Sequence, residues 1–267
     1  MAARPDSTTR FANRVDDYVR GRPGYPLELI AILQREAGLR AGQRIADLGC
    51  GTGLSSELFL DRGYSVVGIE PQAAMRAAAD RRLSSRPGWS SVDGRAEATG
   101  LAEASVHWVV AFQAFHWFDP SATRRELLRI LVPGGRVALV WNARRATGSP
   151  LLEDYERLLE RHGRDYRQVG HRGLDVAQLA AFFGTRPRHA RLAQTQPLDL
   201  DGLRARLLSS SYVPQVDEPG ADAMLSDLDA LFARHQTSGE VALEYDVDLW
   251  WGELHDPAAA GEDAGAA

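Results

Sequence analysis

The chain has 267 residues, 44% hydrophobic and 25% charged, an ordinary globular balance that permits one large domain or one domain with an insertion. Its net charge of −5, with arginines spread along the whole length, argues against a nucleic-acid footprint, which requires a basic domain or stripe. All 31 basic residues are arginine, so a Schiff-base lysine and a Walker-type phosphate loop are excluded.

In chain order, Met1–Thr9 reads as disordered, and no apolar stretch has the length or flanks of a leader or membrane span; a soluble cytoplasmic protein is expected. "LELIAILQREAGL" predicts an amphipathic helix ended by Gly38. Ile45–Leu48 predicts a strand that runs into a glycine-rich turn. "LSSELFLDRG" predicts a helix stopped by Gly63, "YSVVGIE" a second strand, "QAAMRAAADRRL" a helix, and Ser90–Val92 a short third strand. "SVHWVVAFQAF" is apolar almost without interruption, as a strand covered on both faces should be. "SATRRELLRIL" is a helix and "GRVALVWN" a fifth strand. Strands alternating with helices of about this length imply βαβ units, a doubly wound sheet and a ligand at the carboxyl ends of the strands.

After Asn142 the rhythm changes. "LLEDYERLLERHG" and "DVAQLAAFFG" are helical, the second with Asp175 as N-cap. "RHARLAQTQPLDL" alternates like a strand, two helices follow near Leu200–Ser209 and Ala221–Arg234, and "VALEYDVDLWW" alternates again. The expected organisation is one Rossmann-like α/β domain over 1–255. It has a mostly parallel seven-stranded sheet, an antiparallel last strand, a helical lid insertion at about 147–237 and a disordered tail over 256–267. The last strand, Val241–Trp251, is expected between the fifth and sixth. Its second face carries Glu244, Asp246 and Asp248, which need solvent or arginines.

The turn "IADLGCGTG", Ile45–Gly53, is the most informative stretch. A dinucleotide fingerprint would need glycine where Leu54 stands, and Asp47 just before the turn would oppose a phosphate at close range. An acid beside backbone that can approach a ligand suits a cationic group. Glu70, at the end of the second strand, can accept hydrogen bonds from ribose hydroxyls. A ribose together with a positive charge describes S-adenosylmethionine.

With "VVGIEP" and "VVAFQAFHWFD" in the same order and spacing, the chain resembles the class I S-adenosylmethionine-dependent methyltransferases. It is closest to the small-molecule branch with an "HWF" signature, an N-terminal "RPGYP" and a later segment like "LLSSSYVP". The resemblance covers Tyr18–Asn142 and implies a set of roles. Asp47 would hold a water or amino group near the methionine tail, and Gly49 and Gly51 would let backbone pass against the cofactor. Glu70 would clamp the ribose, Ala96 and Glu97 would border the adenine, Gln113 would meet the methionine end, and Tyr18 and Arg22 would close over the tail. Many relatives carry an acid where Arg95 stands; here Arg95 would stack on the adenine instead.

Methyl transfer from a sulfonium demands alignment more than acid–base chemistry. A carboxylate acceptor needs no base; a hydroxyl, phenol or protonated amine does, and His116 is the candidate. Trp117 and Tyr212 are candidate walls for the acceptor, and Arg22, Arg144 or Arg145 a candidate bidentate partner for an acidic one. The seven histidines show no ligand spacing, so no metal is expected. Cys50 reads as a small residue in a tight turn. The expected partner is a small molecule, with neither nucleic acid nor membrane, and the chain is expected as a monomer or homodimer. A non-catalytic S-adenosylmethionine-binding scaffold or sensor, and a dinucleotide-dependent oxidoreductase, stand as alternatives.

Overall fold

The computed structural model describes residues 21–164, 166 and 175–255; the expectations for Met1–Thr9, for Tyr18 and for the tail over 256–267 lie outside them. The helix predicted from "LELIAILQREAGL" is α1, Glu28–Ala37, closed by Gly38 in the left-handed conformation, whose N–H donates to the carbonyl of Leu33. There follow β1 (Arg44–Leu48), α2 (Leu54–Leu60), β2 (Ser65–Ile69), α3 (Ala73–Leu83), β3 (Trp89–Val92) and β4 (Val106–Phe112). A single 3₁₀ turn, Phe115–Trp117, precedes α4 (Pro120–Ile130), which starts on a cap: the Asp119 carboxylate accepts from the Ala122 N–H, with Pro120 at the first helical position. Then come β5 (Leu131–Arg144), α5 (Pro150–His162), α6 (Val176–Phe183), β6 (Arg188–Leu198), α7 (Leu200–Leu208), α8 (Ala221–His235) and β7 (Val241–Gly252). Asp175 caps α6 as expected, accepting from the Ala177 N–H.

The sheet has seven strands in the order β3-β2-β1-β4-β5-β7-β6. β1 to β5 run parallel, while β7 pairs antiparallel with β5 on one side and β6 on the other. The mixed sheet and the place of the last strand are as the sequence implied. The stretch 147–237 is not purely helical, because β6 within it is an edge strand of the sheet. Among the described residues no helix is long and apolar enough to cross a membrane.

Three apolar clusters hold these elements. On one face α1 and α2 bury Leu29, Ile30, Leu33 and Phe59 against Trp108 and Phe112 of β4. On the other face α4 and α6 bury Leu127, Ile130, Leu179 and Phe183 against β4 and β5. The third cluster joins α5, α7 and α8 to the first half of β7, through Leu152, Tyr155, Leu203, Met224, Leu243 and Tyr245. α6 therefore belongs to the sheet, and among the described helices α5, α7 and α8 build a cap. Strand β7 shows why its acids are tolerated. Its odd positions, Val241 to Trp251, are buried, while Arg145 takes Glu244 (3.0 Å) and Asp246 (2.7 Å), and Arg191 takes Asp248 (2.8 Å).

Because β7 fills the gap between β5 and β6, a chain ending at Gly239 exposes a long apolar strand edge and is expected to aggregate. Size-exclusion chromatography of the truncated chain checks this; a soluble monomer that still binds cofactor would make β7 peripheral.

Candidate active site

The site forms where β1, β2 and β4 end. The turn after β1 reverses on three glycines with positive φ: Gly49 (65°), Gly51 (55°) and Gly53 (83°). A side chain at Gly49 would meet Ala114 Cβ at 2.8 Å, and one at Gly53 would meet Leu83 Cδ1 at 2.5 Å. At Gly51 nothing lies within 4 Å, so this residue presents bare backbone to open space. Glu70 ties the turn down. One carboxylate oxygen accepts from the Gly51 N–H (3.0 Å), the other from the Gln72 N–H (2.9 Å). Burial raises the Glu70 pKa, against the backbone donors of Gln72 and Gly51 and the charge of Arg76, which lower it.

A cavity of about 270 Å³ opens over this turn. Gly49, Gly51, Glu70, Ala96 and Glu97 line one end, with Arg95 exposed beside them. Gln113 lines the middle; at φ 54° it occupies a region that a non-glycine residue adopts at a cost, and its amide donates to the Asn142 carbonyl. His116, Trp117 and Trp141 form an aromatic wall, with the imidazole 4.6 Å from the Trp117 ring and 4.8 Å, edge to face, from Trp141. The cap side is closed by Tyr212, Arg144 and Arg206, and by Arg22, which donates to the Ser209 carbonyl. Twelve residues singled out in the sequence thus meet in one cavity: Arg22, Gly49, Gly51, Glu70, Arg95, Ala96 and Glu97, with Gln113, His116, Trp117, Arg144 and Tyr212.

Two of the residues singled out in the sequence have protein partners of their own. Asp47 is not on the cavity wall. It lies fully buried behind the turn, where one oxygen accepts from both Ser55 and Ser56 hydroxyls (2.6 Å each) at the start of α2. Its other oxygen, Oδ1, has no partner among the described residues, which leaves an acceptor for a water or ammonium but no open face to a ligand. Arg144 does line the cavity, yet its guanidinium is committed. It donates to Glu156 and to the Tyr166 hydroxyl (3.1 Å) and lies 4.8 Å from the centre of the Tyr155 ring. Glu156 thus holds the guanidinium at the cavity's edge.

The sequence reading missed Arg206, Trp141 and Asn142. Arg206 carried a signal: on α7 it follows Leu203 by three positions, placing a charge on the helix's apolar face. Cys50 is buried, and burial raises its thiol pKa well above the usual range, reinforced by Asp47 and Glu70; this is the state of an inert thiol.

Residues 46–139 match the family model described as a methyltransferase domain. The matched stretch runs from β1 into β5 and carries the glycine turn, Glu70, Gln113, His116 and Trp117; over this stretch the chain is similar to methyltransferase domains. Among its relatives, an uncharacterized methyltransferase of Mycobacterium tuberculosis is 39% identical over 142 residues, 53% of this chain and 56% of that protein; the match thus spans about half the length of this relative. A methyltransferase-like protein of Schizosaccharomyces pombe is 26% identical over 92% of this chain and 95% of its own. A solved structure provisionally assigned as a type II methyltransferase from Anaeromyxobacter dehalogenans superposes with a TM-score of 0.63 at 24% identity, covering 87% of this chain and 98% of that one; this likeness is one of fold.

Burial pushes the Asp47 carboxyl up to about 6 despite the Ser55 and Ser56 hydrogen bonds that lower it. With a folded pKa above the ordinary aspartate value of 3.8, the native state holds the proton longer than the unfolded chain. This group's contribution to stability therefore falls as pH rises from about 4 to about 6. Asp47→Asn is expected to flatten the dependence of unfolding free energy on pH across that window. Urea titrations at a series of pH values check it; an unchanged slope would show that Asp47 titrates normally.

Proposed function

We propose that the protein is an S-adenosylmethionine-dependent methyltransferase that methylates an oxygen, nitrogen or carboxylate of a small molecule. We further propose a soluble cytoplasmic enzyme, active as a monomer or homodimer. The observation that carries the reading is the continuous cavity: Gly51 and Glu70 at one end, bare backbone beside a fixed carboxylate, and an aromatic wall under a cap at the other. The open space at Gly51 beside the fixed Glu70 carboxylate fits a nucleoside, and the buried Asp47 behind the turn adds negative potential that favours a cationic tail. Glu70 would take the ribose hydroxyls. Ala96 and Glu97, with Arg95, would border the adenine. Gln113 would lie along the methionine portion, with Tyr18 and Arg22 closing over it and Asp47 acting from behind through a water or the amino group.

When bound, the cofactor supplies a methyl group already activated by a positively charged sulfur; a nucleophile takes the methyl, and the C–S bonding electrons return to sulfur as a neutral thioether. The chain's contribution is to align the acceptor and keep water out, which can supply several kcal/mol. Trp117, Trp141 and Tyr212 form the faces between which an acceptor lies, with α5, α7 and α8 as the lid. His116 takes the proton of a hydroxyl, phenol or ammonium acceptor. Arg144, held by Glu156, shapes the lid side of the cavity.

Glu70→Ala is expected to weaken S-adenosylhomocysteine binding by about 1–3 kcal/mol, the usual cost of losing a charged hydrogen-bond partner, with the fold retained. Calorimetry with S-adenosylhomocysteine and with NAD tests the assignment, and tight binding of NAD alone would remove it. Incubation with methyl-labelled S-adenosylmethionine and fractionated small metabolites is expected to label at least one product. With a hydroxyl or amine acceptor, His116→Ala is expected to lower kcat about 10²- to 10⁴-fold and abolish its basic-group pH dependence while leaving cofactor affinity unchanged. A kcat within a factor of about two of wild type would remove the base assignment.

A further inference from the structure

Arg206 is a buried cation with no carboxylate partner among the described residues. It sits on the inward face of α7 with 6% of its surface exposed. Its Nε donates to the Tyr245 hydroxyl (2.9 Å) and one terminal nitrogen to the Ser210 hydroxyl (3.1 Å). Among the described residues no carboxylate pairs with it. Buried charges in proteins are almost always neutralised, because an isolated ion loses far more hydration than neutral hydroxyls return. The other buried arginine beside it follows that rule, since Arg144 has Glu156. Arg206 does not, and it lines both the main cavity and a smaller one, about 40 Å³, against the glycine turn at Cys50, Thr52 and Ser55.

The guanidinium is also held in place. The Tyr245 hydroxyl that accepts from Nε donates in turn to Gln196 Oε1 (2.9 Å), and Gln196 donates to the Gly21 carbonyl (3.1 Å). This chain fixes the plane of the fork and leaves the second terminal nitrogen, which has no hydrogen-bond partner among the described residues, as the open edge. A planar, oriented fork with an open edge is matched to a carboxylate.

We propose that Arg206 is the carboxylate-binding residue of the cavity. The inference rests on the methyltransferase reading, and that reading offers two sources of a carboxylate: the amino-acid tail of the cofactor, or an acidic methyl acceptor. Both meet the same fork.

The test uses the full chain and compares wild type with Arg206→Gln and Arg206→Lys by calorimetry. The probes are S-adenosylhomocysteine, 5′-methylthioadenosine, which lacks the amino-acid tail, and succinate, citrate or benzoate added to the S-adenosylhomocysteine complex. If the tail is the ligand, Arg206→Gln weakens S-adenosylhomocysteine at least tenfold and leaves 5′-methylthioadenosine within twofold. If an acceptor is the ligand, both nucleosides bind as before and a carboxylate that binds the wild-type complex is lost. Unchanged binding of every probe overturns the proposal and makes Arg206 a packing residue. Should Arg206→Gln fail to fold, wild type alone decides: equal affinity for the two nucleosides, with no carboxylate bound, also overturns it. Failure of wild type to bind either nucleoside would instead remove the methyltransferase reading, and the proposal with it.

Discussion

The site depends on two strand ends being tied together across a turn that only glycine can make. β1 and β2 pair in parallel through Leu48 and Ile69, so the next residues along each strand arrive side by side. The Gly49 N–H then donates to the Ile69 carbonyl (2.8 Å), and one residue further on Glu70 reaches the Gly51 N–H. Packing beneath the turn closes it against Ala114 and Leu83, while above Gly51 the space is open. The turn is therefore rigid on its protein side and bare on its ligand side. Positive φ in three of five residues is a conformational entropy cost that a flexible loop would avoid. It persists here because strand pairing and a buried carboxylate fix it from both ends.

This constraint explains why so much of the site was legible in the sequence. The residues at stake sit at strand termini or one to five residues beyond them, and strands announce themselves by apolar runs. Once β1, β2 and β4 are placed, a parallel sheet brings Gly51, Glu70 and Gln113 to one edge with no further information. The antiparallel last strand was legible for a different reason: alternation of Val241 to Leu249 with three acids described one buried and one ion-paired face.

The cap side was less legible because charge pairing there is tertiary. Arg144 lies at the end of β5, where a strand-end rule places a ligand group, but Glu156 comes from α5, and no local pattern specifies that a helix twelve residues on will neutralise it. Arg206 sits in a helix that the sequence does predict. Which arginine keeps a partner and which does not is set by how α5, α7 and β7 pack, and this cannot be read before the third cluster is assembled. Asp47 is an intermediate case. Its position before the turn was readable, but its side chain direction was decided by Ser55 and Ser56, two hydroxyls in the first turn of α2 that outcompete a cavity-facing pose.

The way the third cluster is built also bears on how the cavity works. A lid that swings needs its own core and a narrow connection. Here the cap's own apolar residues, among them Leu152, Leu159, Leu203, Met224 and Leu228, form one cluster with Leu198 of β6 and Val241, Leu243 and Tyr245 of β7, so the connection is not narrow: its floor is the same strands that complete the main sheet. Tyr245 adds a polar tie, since the hydroxyl that receives Arg206 belongs to a ring buried in that floor. Moving the cap away from the sheet would expose this apolar layer and break the Tyr245 contact together. The aromatic wall of the cavity and the cap above it are thus joined through one packed layer. On the methyltransferase reading proposed above, that layer would hold the alignment for methyl transfer, so preorganised geometry rather than closure would carry the catalytic contribution.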